Sequence, residues 1–129
     1  MPDQPKPRVI LLVEDDPPLA EIMRWTLAKD GFEVLLAGDG MAALALARER
    51  RPDLILSDVM LPKMDGFKLC RLVKFDAELK HIPFVFLTAR TQDKDRETAK
   101  LAGADEYVTK PIPNQEIVKL VRKHLGGKG

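Results

Sequence analysis

The run Val9-Ile10-Leu11-Leu12-Val13-Glu14-Asp15-Asp16 decides how the rest of the chain is read. Its apolar half is rich in β-branched residues and has no polar alternation, which suits a strand buried on both faces, as in a parallel sheet covered on both sides. Three acids follow at once, so the carboxyl end of that strand carries charge. Parallel neighbours require crossover connections, and the next segments supply them.

Over 17–30 the apolar residues Leu19, Ile22, Met23 and Leu27 recur at helical spacing, with prolines opening the segment and Gly31 closing it. Residues 32–37 read as a second strand, 40–50 as a second helix and 54–57 as a third short strand. Past a loop over 62–66, Phe67, Leu69, Cys70, Leu72 and Val73 mark a third helix, and 84–87 a fourth strand. The fourth helix, 93–102, is the most polar, with Ala99, Leu101 and Ala102 left to make its apolar contacts. A fifth strand over 106–109 precedes a fifth helix over 114–125, whose apolar residues are Ile117, Val118, Leu120, Val121 and Leu125. Strict alternation of strand and helix implies right-handed crossovers, hence an α/β doubly wound fold with a five-stranded parallel sheet between two helical layers.

The chain has 129 residues, 45% hydrophobic and 32% charged, enough for one core and one domain, expected over 8–125 between tails at 1–7 and 126–129. Twenty-one basic against twenty acidic residues leave a net charge of +1, which steers the chain toward neither nucleic acid nor an anionic membrane. No apolar run approaches the roughly 20 residues that span a bilayer. The start has no apolar signal core, so a cytoplasmic location is expected. The single cysteine, Cys70, reads as a core thiol, and no Cys or His pair has zinc spacing.

In open parallel sheets ligands bind at the carboxyl ends of the strands. Here those ends carry Glu14-Asp15-Asp16, Asp58, Thr88 and Lys110-Pro111, groups far apart in sequence that surface solvation does not explain together. Glu14, Asp15 and Asp58 crowded on one rim would repel one another unless something positive sat among them. Magnesium suits this set, because it takes one or two carboxylates and leaves other positions to water and phosphate oxygens. Asp16 reads as a cap for the first helix, and Asp15 as a metal ligand, since capping alone asks for no acid on a neighbouring strand. Asp58 can be a nucleophile that forms an acyl phosphate or a second metal ligand, and chemistry alone leaves both open. Lys110 and Thr88 favour the nucleophile: a phosphoryl group wants an ammonium and a hydroxyl beside its metal, whereas a plain Lys110–Asp58 salt bridge would leave Thr88 unexplained. Spacing places Tyr107 in the core.

These residues fall in four ordered motifs: Val9-Ile-Leu-Leu-Val-Glu-Asp-Asp16; Pro52-Asp-Leu-Ile-Leu-Ser-Asp-Val-Met-Leu-Pro62 with Met64-Asp-Gly66; Phe86-Leu-Thr-Ala-Arg90; and Ala102-Gly-Ala-Asp-Glu-Tyr-Val-Thr-Lys-Pro111. Together they resemble the receiver domain of bacterial two-component response regulators, from about residue 8 to residue 125. The resemblance implies a flavodoxin-like sheet of strand order 2-1-3-4-5. It makes Asp58 the phosphoacceptor, Asp15 the direct magnesium ligand, Glu14 an acid acting through water, and Met60 a backbone-carbonyl ligand. Lys110 becomes the ammonium partner of the phosphoryl group, joined to Pro111 by a cis bond. Thr88 becomes the hydroxyl that turns toward the phosphoryl group, and Tyr107 an aromatic that swings inward on activation, which reverses the core reading. Met60 and Arg90 occupy variable positions that tune the lifetime of the phosphoryl group.

The partners implied are a sensor histidine kinase or phosphotransfer protein upstream and a protein target or fused output domain downstream. No membrane contact and no direct nucleic-acid binding are implied, and a phosphorylation-dependent homodimer is allowed. The chain is expected to catalyse only its own phosphorylation and dephosphorylation. An aspartyl-nucleophile phosphatase would want a second acid two residues after Asp58, where Met60 stands. A nucleotide-binding enzyme would want a Gly-rich first turn where the acids stand. A receiver-like module that never takes phosphate would have no need of the acids with Lys110. His81 and His124 read as surface residues without ligand partners. Trp25 falls off the stripe of the first helix and is a candidate for a kinase-docking surface.

Overall fold

The computed structural model describes residues 6–126, so most of both expected tails lies outside it. The described residues alternate β1 (Val9–Val13), α1 (Pro17–Lys29), β2 (Glu33–Ala37), α2 (Gly40–Arg50), β3 (Leu54–Ser57), α3 (Gly66–Lys74), β4 (Phe84–Thr88), α4 (Asp93–Leu101), β5 (Glu106–Thr109) and α5 (Asn114–His124). All four strand pairings are parallel and the order is β2-β1-β3-β4-β5, as expected.

Alternation along the buried strands divides the core in two. Ile10, Leu12, Leu54, Leu56, Val85 and Leu87 point to the layer of α1 and α5, where Met23, Leu27, Ile117 and Val121 meet them. Leu11, Val13, Ile55, Phe84 and Phe86 point to the other face, against Ala43, Ala47, Leu69, Cys70, Val73 and Ala99. A period of two in side-chain direction, with both faces covered, is why these strands are apolar throughout. Cys70 is a core thiol as expected, and burial pushes its pKa up to about 12.

Three helices begin at an aspartate whose side chain accepts a backbone N–H: Asp16 from Leu19, Asp39 from Ala42, and Asp65 from Lys68. Such caps satisfy donors that have no partner inside the helix. Gly66 opens α3 under the loop that follows β3. A Cβ there would collide with the Asp58 carbonyl, so only glycine lets α3 start this close to the strand end.

Several expectations need correction. The buried stripe of α1 is Ala20, Met23, Thr26 and Leu27, whereas Ile22 is 52% exposed. Leu101 contributes no burial to α4, being 78% exposed, because it lies about 200° around the helix from buried Ala99. The second strand begins at Glu33, not Phe32, since the register pairs Glu33 with Val9; Phe32 is buried before the strand begins. His124 is not a partnerless surface residue. Its ring is half-buried, 2.5 Å from Glu106 Oε1, because the last turn of α5 reaches the first residue of β5. His81 is exposed as expected.

Candidate functional site

The register of the sheet assembles the rim. Val13 pairs with Ser57, and Thr88 with Thr109, so the residues just past those positions stand side by side. Backbone bonds extend the ladder beyond the strands, from Glu14 N–H to the Ala37 carbonyl (3.0 Å), Asp58 N–H to Val13 (3.0 Å) and Lys110 N–H to Thr88 (2.8 Å). Glu14, Asp58 and Lys110 are therefore held by backbone geometry before their side chains meet.

Lys110 Nζ donates to Glu14 Oε1 at 2.7 Å and to Asp58 Oδ2 at 3.0 Å, joining positions 96 and 52 residues away. Glu14 is buried and the other two side chains are mostly so. Burial pulls the Lys110 pKa down, but the hydrogen bonds to Glu14 and Asp58 outweigh it and hold the ammonium above its ordinary value. The second oxygen of Asp58, Oδ1, accepts the backbone N–H groups of Val59 (2.6 Å) and Met60 (3.3 Å). The second oxygen of Glu14, Oε2, accepts Asp16 N–H at 3.1 Å. The Lys110–Pro111 peptide is cis.

The sequence led us to expect Glu14, Asp15 and Asp58 gathered around a cation. Lys110 stands between Glu14 and Asp58, and Asp15 is exposed at the edge of the rim. Among the described residues no three His, Cys, Asp or Glu side chains gather into a group that could hold a metal alone. The donor chemistry still fits magnesium: one ammonium shared by two carboxylates leaves negative charge over, and the available atoms are hard oxygens. Met60 is 58% exposed, and its carbonyl belongs to the loop just past Asp58.

Thr88 ends β4, fully buried, and its Oγ1 accepts Arg90 N–H at 3.3 Å. Tyr107 packs on Phe86, with ring centroids 6.0 Å apart, and its hydroxyl donates to the Arg90 carbonyl at 2.7 Å. Its half-buried ring also carries the Arg96 guanidinium, 5.0 Å from the centroid. Burial first, and then the charge of Asp95, push the Tyr107 pKa up. Trp25 is 59% exposed on α1 with Lys29 Nζ 4.6 Å from its ring, away from the rim residues.

Sequence reading missed Asp95. This acid is buried in the first turn of α4 and pairs with Arg90, Nη2 to Oδ1 at 2.9 Å. The only available signal was an acid five residues after an arginine in a helix otherwise short of apolar residues.

Comparison with known proteins follows the same lines. The family model of the response regulator receiver domain matches residues 10–122. A DNA-binding response regulator, MtrA, of Mycolicibacterium smegmatis is 45% identical over 90% of this chain. The matched region is 50% of that relative, so the chain spans about half the length of the curated relatives it matches. Among solved structures, the chemotaxis response regulator CheY4 of Vibrio cholerae superposes with a TM-score of 0.86 at 31% identity, covering 92% of this chain and 98% of that one. The receiver domain of a sensor histidine kinase from Pseudomonas aeruginosa PAO1 gives the same TM-score at 32% identity, covering 93% and 98%, and is described with a magnesium ion in its active-site cleft.

Proposed function

This chain belongs to the response regulator receiver domain family, and from that premise we propose that Asp58 accepts a phosphoryl group which Lys110 and the neighbouring acids make transferable. The observation that carries the proposal is the double contact of Lys110 with Glu14 and Asp58, which fixes the carboxylate, its cation and a further acid at one rim.

Asp58 attacks phosphorus in line. The new bond joins an Asp58 carboxylate oxygen to phosphorus, and the bond that breaks joins phosphorus to a phosphohistidine nitrogen or to the oxygen of a small acyl-phosphate donor. The leaving nitrogen keeps the bond's electron pair and takes a proton. The N–H groups of Val59 and Met60 hold one carboxylate oxygen and so orient the other, while Lys110 meets the negative charge that develops. Asp15, Asp58, the Met60 carbonyl and Glu14 acting through water would hold magnesium, which when bound neutralises phosphoryl oxygens. Water later hydrolyses the acyl phosphate, so the domain catalyses its own phosphorylation and dephosphorylation.

Thr88 gives up Arg90 N–H to bond the phosphoryl group, and Tyr107 adjusts with it, which shifts the face of α4, β5 and α5. A sensor histidine kinase or phosphotransfer protein is the donor, and an output domain or separate target reads the shifted face. A cytoplasmic location accords with this, and no helix among the described residues is long and apolar enough to cross a membrane. Exposed Trp25 contributes to the kinase-docking surface, so Trp25→Ala slows phosphotransfer from a cognate kinase without changing the rate from a small donor; equal slowing with both donors would refute that role.

The central test is incubation with magnesium and acetyl phosphate followed by intact mass measurement. The wild type gains one phosphoryl group and Asp58→Asn gains none. An adduct that persists in the variant rules out Asp58 as acceptor.

A further inference from the structure

Arg90 joins more parts of this molecule than any role assigned above requires. Its N–H donates to Thr88 Oγ1 (3.3 Å) and its carbonyl accepts the Tyr107 hydroxyl (2.7 Å). Its guanidinium divides between two further partners, Asp95 Oδ1 at 2.9 Å and Met60 Sδ at 2.9 Å. The Asp95 side chain is 6% exposed, whereas Arg90 is 38% exposed, and together with Met60 they line an open cavity of about 340 Å³. Met60 is also the residue whose N–H rests on Asp58 Oδ1. The guanidinium is thus held over a residue that braces the phosphoacceptor, but by a carboxylate on α4.

We infer that Asp95 is a positioning residue that stores the Arg90 guanidinium, and that a phosphoryl group on Asp58 draws it away, breaking the tie between the β4–α4 loop and the first turn of α4. This rests on Asp58 being the phosphoacceptor. A phosphoryl group offers about two negative charges and three acceptor oxygens in a geometry that matches a guanidinium fork. Asp95 offers one charge, but a desolvated one. Once its partner leaves, a buried carboxylate without a counter-ion is costly, so the first turn of α4 must move to hydrate it. Phosphorylation would then reach α4 by competition for one cation, beside the route through Thr88 and Tyr107.

The test is a double-mutant cycle on the affinity for beryllofluoride, a stable mimic of the phosphoryl group, titrated with excess magnesium and followed by ¹⁹F NMR. Wild type, Asp95→Asn, Arg90→Ala and the double variant are compared, with urea midpoints to check folding and acetyl phosphate to check mass gain. Removing the competitor should tighten binding, so Asp95→Asn binds roughly fivefold more tightly, the factor for losing one partly exposed ion pair. Arg90→Ala binds more weakly, the double variant matches Arg90→Ala, and Asp95→Glu, which keeps the pair, stays near wild type. Tighter binding by Asp95→Asn that persists without Arg90 overturns the inference, as does unchanged binding. The Arg90→Ala arm stands even if Asp95→Asn fails to fold, because Arg90 is exposed enough to be removed; unweakened binding there also overturns it. A wild type that gains phosphoryl mass while the cycle is flat refutes the store alone, whereas a wild type that gains none refutes the assignment of Asp58 as well.

Discussion

Two charged clusters on β5 and its neighbours are balanced in opposite ways. At the rim, one ammonium, Lys110, serves two carboxylates, Glu14 and Asp58, with Asp15 nearby. At the base of the same strand, Glu106 is the lone acid between Lys123, 3.1 Å away, and His124, 2.5 Å away. The rim has acid to spare and the base has none. A buried surplus of like charge costs stability, and a fold keeps such a surplus where chemistry uses it. The base cluster is a half-exposed staple of α5 to β5 that needs nothing further.

The comparison can be broken most decisively at Lys110. Lys110→Met leaves Glu14 and Asp58 without a counter-ion and should lower stability at pH 7 by about 2 kcal/mol, less than for a fully buried pair because the ammonium keeps some contact with water. Urea denaturation reads this directly, and an unmoved midpoint would mean that the rim acids do not depend on Lys110. Asp58→Asn should act in the opposite direction. It keeps the Lys110–Glu14 pair and removes a repelling charge, so stability rises by about 1 kcal/mol while phosphoryl acceptance is lost. The same acid-to-amide change at the base, Glu106→Gln, should instead cost about 0.5 kcal/mol, because it removes the acid that Lys123 and His124 share. Equal signs for the two substitutions would sink the contrast.

The smallest effect is in pH dependence. Burial alone would raise the Glu106 pKa, but hydrogen bonds from His124 and Lys123 outweigh it and hold the carboxyl below its ordinary 4.5. A depressed folded pKa means the contribution is present above the ordinary value and fades as pH falls through the folded one. The stability difference between wild type and Glu106→Gln should therefore vanish in acid. Lys110 has the other sign: its raised pKa makes its contribution complete below the ordinary 10.5 and lost as pH rises through the folded value. An alkaline titration of wild type against Lys110→Met reads that loss, and parallel curves up to the unfolding limit would contradict it.

The five strands and five helices were legible because buried parallel strands and capped helices leave short-range patterns; 54–57 and 106–109 are read in sequence as they stand in the structure. Glu14, Asp58, Thr88 and Lys110 could be picked out as candidates because each stands at or just past the carboxyl end of a strand, whereas Asp95 could not. Misreadings came where a local pattern admits two outcomes. Ile22 and Leu101 are apolar residues at helical spacing, but only the direction from which the sheet packs tells which side of a helix is buried. His124 looked isolated because its partner, Glu106, lies 18 residues back on a different element.

By itself, then, the sequence determined the order of elements, the two-sided burial of the strands and the acids, hydroxyl and lysine at their carboxyl ends, because period, capping and turn chemistry act over a few residues. Only the tertiary structure decided that Lys110 stands between Glu14 and Asp58, and that Asp95 holds Arg90 across the start of α4. The physical reason is that a charge in a folded chain answers to whatever ion the packing brings within about 3 Å, and chain order does not encode that distance.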